Sequence, residues 1–311
     1  MRIVFMGTPE FAVPSLRAMI RNGFNVIGVF TQPDRPKGRG NKLTPSPVKT
    51  AAQEEGIPVF QPEKIRRDGV ESLRNLKPDL CVTAAFGQIL SQEILDIPLM
   101  GNINVHASLL PRHRGAAPIA YAIMSGDREA GVTTMMMDAG IDTGDILLQE
   151  KTTIGLRETC GELTQRLSEI GAELLIRTLR EMEAGTLKRL KQNEDEMTYD
   201  PMLHKSMGIA DFSNNADTVR CLINGLNPWP CVSVPVGGER IKLLRAELNG
   251  GTGKTGTVIE ADPKNGLIIA CAKGAVRILE IQAPGGKRMK PEDYLRGHSI
   301  PIGTDLKEDR T

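Results

Sequence analysis

The sequence of 311 residues lacks three features: a strong charge of either sign, a long apolar run and a pair of closely spaced cysteines. The net charge of +1 excludes a global field that would attract nucleic acid or a membrane, so such a partner must bind a local patch. No apolar run reaches the roughly 18 residues of a transmembrane helix, and the first residues read as a strand rather than a signal peptide. The five cysteines contain no C-x-x-C pair, which argues against a disulfide or zinc framework and favours a reducing cytosol.

The sequence also lacks a dinucleotide fingerprint. The apolar run RIVFMG ends at Gly7, and GTPEF follows it, but G-x-G-x-x-G is absent. The second apolar run ends in VFTQ without the acidic residue that would bind a ribose. These absences argue against NAD, and the turn is predicted to lie at the carboxyl edge of a sheet, where ligands often bind.

The order of elements predicts an α/β first half and an all-β second half. The apolar runs RIVFMG, NVIGVFT and PDLCVTAAFG alternate with helical patterns, which is typical of a parallel-rich sheet. One helix is predicted to begin after a Ser46 cap, and a long helix covers residues 159–184. Five short strands punctuated by glycine follow residue 230 and predict a small β barrel or sandwich. We therefore predict a first domain in residues 1–188, a linker in 189–207 and a C-terminal domain in 208–311.

Polar side chains occupy one face of the predicted strand in NINVHASLLP. Because side chains alternate along a strand, Asn104, His106 and Ser108 share a face, whereas Val105 and Ala107 share the other. A polar face at the carboxyl end of a strand indicates a functional site. A hydrogen-bonded core histidine explains the strand equally well.

The stretch MMMDAGIDTGDILLQ predicts a strand, an acidic loop and a second strand. It offers Asp138, Asp142 and Asp145. A carboxylate beside His106 would orient the imidazole ring and stabilise its protonated form. A metal loop and a solvated turn remain alternatives, although the spacing does not fit the calcium-binding loop.

A basic insert, from Thr31 to Lys49, follows the second predicted strand. It contains five basic residues and one acid, Asp34. The basic residues are Arg35, Lys37, Arg39, Lys42 and Lys49. Glycine and proline predict a long mobile loop, and long loops are often functional. The charge suits a phosphate backbone, and a solvated basic loop is the alternative.

Six segments in sequence order resemble the 10-formyltetrahydrofolate-dependent formyltransferases. They are FMGTPEFAVPSL, GVFTQPDRPKGRGNKLTPSPVK, AAFGQIL, NVHASLLPRHRGAAPI, MDAGIDTGD and NPWP. The resemblance covers essentially the whole chain and is strongest to members that act on methionyl-tRNA. It implies a Rossmann-like formyltransferase domain followed by a small barrel similar to an OB-fold.

The resemblance also implies site residues and partners. The implied catalytic residues are Asn104, His106 and Asp142. The implied folate-binding residues, where backbone groups carry most of the contact, are Phe86, Gln88, Ile89, Leu90, Ser108, Leu109, Leu110, Pro111 and Asp138. The implied tRNA contacts are Arg35, Lys37, Arg39 and Lys42 in the insert and Lys287 and Arg288 in the barrel. We expect a monomer in the bacterial cytoplasm that takes its formyl group from 10-formyltetrahydrofolate, acts on methionyl-tRNA and needs no metal.

Three other functions share parts of this pattern. A sugar-nucleotide formyltransferase would use the same three residues on a different amine, and a formyltetrahydrofolate hydrolase would use water. A non-catalytic tRNA-binding module would have no need of the three residues. The basic insert and the barrel argue against the first two, and the intact set of three argues against the last.

Overall fold

The structure is a computed structural model that describes residues 1–37, 40 and 42–307. The chain divides into two compact units. The first comprises Met1–Gly115, Gly131–Thr152 and Thr164–Tyr199, and the second comprises Ala116–Ala130, Thr153–Leu163 and the chain from Asp200 onward. The boundaries predicted at residues 188 and 208 stay a prediction.

The first unit is built on strands that begin at the second residue of the chain. In chain order they are β1 (Arg2–Gly7), β2 (Asn25–Phe30), β3 (Arg35–Lys37), β4 (Lys42–Thr44), β5 (Val59–Phe60), β6 (Leu80–Ala84), β7 (Asn102–His106), β8 (Arg114–Gly115), β9 (Glu129–Met136), β10 (Ile146–Thr153) and β11 (Tyr199–Asp200). Seven form one sheet in the order β10-β9-β7-β6-β1-β2-β5. The pairs from β5 to β7 are parallel, and β9 runs antiparallel to β7.

The strand order explains where a ligand can bind. The chain adds β2 and β5 on one side of β1, and β6 and β7 on the other. Ligands of such sheets bind at the carboxyl ends of the strands, near the point where the order reverses. In this unit Gly7, Ala84 and His106 end β1, β6 and β7 at that edge.

Helices flank the strands in both units. In chain order they are α1 (Val13–Arg21), α2 (Pro47–Glu54), α3 (Val70–Leu76), α4 (Gln92–Leu95), α5 (Pro118–Met124), α6 (Cys160–Glu183), α7 (Ala216–Gly225) and α8 (Pro291–Tyr294). The Ser46 cap of α2 is confirmed, because its side chain accepts the Lys49 N–H at 3.0 Å. Among the described residues, no helix is long and apolar enough to cross a membrane.

The core of the first unit lies on both faces of β1 and β6. Ile3, Val4, Phe5 and Met6 of β1 are completely buried, as expected for a central parallel strand. On the face that carries Val4 and Met6, the core includes residues of α3 and α4. This burial explains why these strands appear in the sequence as continuous apolar runs.

The second unit contains a six-stranded antiparallel sheet. Its strands are β12 (Val232–Val236), β13 (Glu239–Asn249), β14 (Val258–Asp262), β15 (Gly266–Ala270), β16 (Ala275–Gln282) and β17 (Arg288–Met289). They pair in the order β12-β13-β16-β15-β14, and β17 pairs with the end of β16 at Ile281 and Gln282. The side chain of Asn224 in α7 is fully buried and forms two hydrogen bonds with the backbone of Ala246, at 3.1 and 2.9 Å. The predicted fold class, a Rossmann-like domain followed by a small barrel-like domain, is confirmed.

The basic insert differs from the loop that its composition predicted. Part of it is a two-stranded hairpin, in which β3 pairs antiparallel with β4. Its base is held by Lys49, whose Nζ lies 2.9 and 2.7 Å from the carboxylate oxygens of Asp34. The Gln61 amide also donates to Asp34, at 2.8 Å. Lys49 and then Gln61 lower the pKa of the Asp34 carboxyl, so Lys49 is held in an ion pair.

Candidate active site

The alternation predicted for β7 places its polar side chains on the face of the sheet that points away from α6. Val105 faces α6, where a Cβ on Gly171 would lie 3.0 Å from its Cγ1, so glycine allows the helix to approach the strand. Thr134 is paired with Val105 across β9, and its hydroxyl lies 2.8 Å from that of Thr178 in α6. Asn104 and His106 therefore lie on the other face of the sheet.

His106 is buried and held by a backbone carbonyl. Its Nε2 lies 2.9 Å from the carbonyl oxygen of His113, which can only accept a hydrogen bond. Nε2 is thus the protonated nitrogen of the neutral ring, and Nδ1 carries the lone pair. Nδ1 lies 3.6 Å from Oδ1 of Asp142. The ring is therefore fixed by the backbone on one side and faces a carboxylate on the other.

Asp142 reaches this position from the acidic loop between β9 and β10. Its φ of 53° is a left-handed conformation that is unfavourable for a residue with a side chain. Its Oδ2 accepts the Gly115 N–H at 2.8 Å, and its Oδ1 lies 3.4 Å from the amide nitrogen of Asn104. At Gly144 a side chain would collide with the Met136 carbonyl, so this turn requires glycine. The structure therefore brings together all three predicted catalytic side chains.

The groups that fix this loop have no signal in the sequence. Gln192 donates from Nε2 to the carbonyl oxygens of Asp142 and Gly144, at 2.8 and 2.7 Å. Its Oε1 accepts from Arg114, whose guanidinium is 3% exposed and also pairs with Glu194 at 2.7 Å. Arg114 lowers the pKa of the Glu194 carboxyl. Because Gln192 lies in the polar stretch predicted as a surface linker, only a three-dimensional contact could reveal it.

Thr83 is a second residue without a sequence signal. It is paired with Asn104 across β6 and β7, and paired residues of neighbouring strands point to the same face. It is 6% exposed, and its hydroxyl makes no hydrogen bond to any described residue. A buried polar group of this kind is usually satisfied by a partner, so it fits a polar ligand beside Asn104.

Most side chains of the predicted folate-binding segment after β6 contact other residues of the protein. Phe86 and Leu90 lie in the hydrophobic core, and Gln88 accepts the Ile65 N–H at 2.6 Å and donates to the Pro62 carbonyl at 3.0 Å. Ile89 is 79% exposed. This leaves backbone groups and Ile89 to contact a ligand, and folate binding by this segment stays a prediction.

The SLLP turn after β7 is also held by hydrogen bonds within the protein. The Ser108 hydroxyl donates to the Arg112 carbonyl at 2.7 Å, and the carbonyl of Leu110 accepts from Gln149 at 2.9 Å. Ser108 and Leu110 are buried, whereas Leu109 and Pro111 are half-buried. These contacts fix the carboxyl end of β7.

The remaining predicted residues belong to the acidic loop, the basic insert and the second unit. Asp138 accepts from Gly140 and from Thr143, at 3.1 and 2.6 Å, and so builds the acidic loop itself. Arg35 forms an exposed ion pair with Glu63 at 3.4 Å, and Lys42 is exposed. Lys37 lies in β3, and Arg39 lies outside the described residues. Lys287 and Arg288 of the second unit are exposed, with Arg288 in β17.

Two family models match the chain. One, described as formyl transferase, matches residues 1–179, and the other, described as formyl transferase, C-terminal domain, matches residues 202–299. The chain belongs to the formyl transferase family. The expectation from the six segments is thereby confirmed, and with it the identification of the chain as a formyltransferase.

Relatives match the chain along nearly its whole length. A methionyl-tRNA formyltransferase from Geotalea uraniireducens is 50% identical over 307 residues, which cover 98% of each chain. One from Trichlorobacter lovleyi is 48% identical over 306 residues, covering 98% of this chain and 96% of the relative. Among solved structures, an N-formyltransferase from Helicobacter canadensis in complex with folinic acid and dTDP-3-aminofucose shares the fold, with a TM-score of 0.69 at 19% identity. That match covers 92% of this chain and 99% of the other.

Proposed function

We propose that this formyltransferase transfers the formyl group of 10-formyltetrahydrofolate to the α-amino group of methionyl-tRNA, producing formylmethionyl-tRNA for translation initiation. The observation that carries the proposal is the convergence of Asn104, His106 and Asp142. They lie at the carboxyl edge of the sheet in a chain half identical to methionyl-tRNA formyltransferases along its length.

Asn104 has the geometry of an oxyanion donor. When the α-amine attacks the formyl carbon, negative charge develops on the formyl oxygen, and an amide N–H placed there stabilises it. Asn104 lies on a rigid strand, and its amide nitrogen is 3.4 Å from Asp142 Oδ1. That contact is long for a hydrogen bond, so the amide can exchange it for the stronger bond to a developing oxyanion.

His106 carries the proton that must move. The new C–N bond leaves a surplus proton on the attacking nitrogen, and the leaving N10 needs one when its bond to the formyl carbon breaks. The lone pair on His106 Nδ1 can take up that proton and deliver it, because imidazole exchanges protons near neutral pH. Asp142 Oδ1, 3.6 Å away, stabilises the imidazolium that forms in between.

We assign the folate to the segments that flank these three residues. Backbone groups of residues 86–90 and the turn at residues 108–111 follow the carboxyl ends of β6 and β7, and the acidic loop that contains Asp138 brings Asp142 to the same three side chains. The exposed side chain of Ile89 offers apolar surface to a pterin ring. The donor is a substrate, and the scheme routes no step through a metal.

The tRNA would meet basic residues in each unit. The insert supplies Arg35, Lys37, Arg39 and Lys42, and the second unit supplies Lys287 and Arg288. These side chains suit the phosphate backbone, whose contacts weaken steeply with salt. We further propose that the protein works as a monomer in the bacterial cytoplasm, where translation supplies its substrate.

The test is formyl transfer from 10-formyltetrahydrofolate to purified methionyl-tRNA. Uncharged tRNA and a UDP-aminosugar serve as control acceptors, and release of free formate is measured in parallel. We expect formylmethionyl-tRNA to form at a catalytic rate, and His106→Ala to lower that rate by about 10²–10⁴ with little change in KM. Formylation of the sugar alone, or formate release alone, would contradict the proposed acceptor.

A further inference from the structure

The second unit contains a cleft of about 540 Å³ that none of the proposed catalytic steps uses. It is lined by the one tryptophan of the chain, Trp229, together with Pro230 and Ile209. Trp229 is 50% exposed and Ile209 is 47% exposed. Tryptophan is enriched at interfaces, because its large apolar ring can be covered by a partner while its N–H stays in contact with water.

The charge of the cleft is of one sign. Its described lining residues include Lys205, Arg240 and Lys242, and none of them is acidic. Arg240 is oriented by three hydrogen bonds to Ser233, at 2.9–3.1 Å, so part of the positive charge is held in a fixed position. An anion would therefore meet preorganised charge there.

The strand register extends this charge across the sheet. Ser233 is paired with Lys242, Lys242 with Gln282, and Gln282 with Arg288, in a row that crosses β12, β13, β16 and β17. Residues paired in this way point to the same face of a sheet. Burial raises the pKa of Cys231, which also lines the cleft, whereas Lys242 and Arg288 lower it, as expected if both cations lie nearby.

A half-exposed indole beside several cations matches the chemistry of an unpaired nucleotide. A base can stack only where its face is accessible, which a continuous duplex does not allow, and its phosphate needs a cation close by. A peptide of acidic residues alone, such as polyglutamate, would form ion pairs with the cations but has no ring to stack on the indole.

We propose that this cleft binds an unpaired nucleotide of the tRNA, with its base stacked on Trp229 and its phosphate beside Arg240 and Lys242. The inference rests on the proposed function for the identity of the RNA. It goes beyond that function in assigning a base-stacking site to the second unit.

The single tryptophan allows a direct test on the unmutated protein. Tryptophan emission is followed during titration with a short single-stranded RNA, a blunt RNA duplex and polyglutamate, and binding is measured independently by anisotropy. We expect the single strand to quench the emission, the quenching to disappear at high salt, and the other two probes to have little effect. Unchanged emission when the single strand is bound, or equal quenching by polyglutamate, would overturn the proposal.

Kinetics with methionyl-tRNA supply the second test. Trp229→Ala should raise the KM for methionyl-tRNA by about tenfold or more and leave the KM for the folate unchanged, and Trp229→Phe should restore most of the loss. Lys242→Ala should also reduce the salt dependence of binding. The matched control is Lys264→Ala, an exposed lysine in the turn between β14 and β15.

The two tests separate failure of the inference from failure of the proposed function. An unchanged KM for methionyl-tRNA in Trp229→Ala, with active enzyme, overturns the inference alone. If the unmutated protein forms no formylmethionyl-tRNA, the proposed function fails, and the fluorescence titration still decides whether the cleft binds unpaired RNA.

Discussion

Gln192 forms hydrogen bonds with Arg114 on one side and with the acidic loop on the other, and Gln192→Glu removes only those to the loop. Oε1 of Gln192 accepts from Nε and Nη2 of Arg114 at 3.0 and 2.8 Å, and Nε2 donates to the carbonyls of Asp142 and Gly144. Glutamate keeps the acceptors for Arg114 but has no donor for the two carbonyls. The substitution therefore tests whether those two hydrogen bonds keep Asp142 beside His106.

The structure sets the size of the effect. Each lost hydrogen bond is worth about 1 kcal/mol, so the loop loses about 2 kcal/mol. The hydrogen bonds that remain include those of the Gly115 N–H to Asp142 and of Gly140 and Thr143 to Asp138, and none of these holds the carbonyls of Asp142 and Gly144. Because 1.4 kcal/mol corresponds to a factor of ten, kcat should fall by about 10- to 30-fold as the loop relaxes.

The assay is the initial rate of formylmethionyl-tRNA formation with each substrate varied in turn. We expect a lower kcat, with the KM for methionyl-tRNA within about twofold, because Gln192 contacts the acidic loop rather than the proposed RNA sites. The control is Glu196→Gln in the same segment, where Glu196 accepts from Asn193 at 2.9 Å. A kcat for Gln192→Glu within twofold of the unmutated value, even with a lower Tm, would refute the reasoning and leave Gln192 a purely structural role.

Three further predictions follow from the described contacts. Asn104→Ala should lower kcat by about 10²–10³ through loss of the oxyanion donor, and a single-turnover rate near normal would remove that role. Since Lys49 lowers the pKa of Asp34 below its usual 3.8, the ionised carboxylate stabilises the fold at neutral pH. Asp34→Asn should therefore lower the Tm at neutral pH, and the difference should begin to shrink near pH 4 and disappear only as the pH falls through the lowered pKa of Asp34; a pH-independent difference would contradict this. Burial raises the pKa of Cys271 to about 11, and Cys160 alone among the cysteines is not buried, so a thiol reagent at about pH 8 should label one thiol before unfolding and five after it.

The elements of the fold that could be predicted from the sequence depend on local physics. A central parallel strand is buried on both faces, so β1 and β6 are visible as apolar runs. Helix starts are visible because a short polar side chain accepts a backbone N–H, as Ser46 does for α2 and Asn215 for α7. The polar face of β7 follows from the alternation of side chains, and it led to Asn104 and His106.

The elements that could not be predicted depend on contacts between distant residues. Gln192 is 50 residues from Asp142 in the chain, and it lies in a polar stretch with no periodicity. The hairpin of β3 and β4 is formed by strands of three residues, too short to produce a pattern. Thr83 resembles any other residue of a buried strand until its pairing with Asn104 is known.

The segment at residues 113–115 links His106, the proposed proton carrier, to the carboxylate of Asp142. The His113 carbonyl fixes the tautomer of His106, and two residues later the Gly115 N–H binds Asp142. Both contacts are made by the backbone, so replacing the side chains of this segment cannot remove them directly. The segment is itself fixed by Thr198, whose hydroxyl accepts from the His113 N–H at 2.7 Å and whose carbonyl accepts from the Arg114 N–H at 2.9 Å. The geometry of the proposed proton transfer therefore depends on residues 192–198 as well as on Asn104, His106 and Asp142.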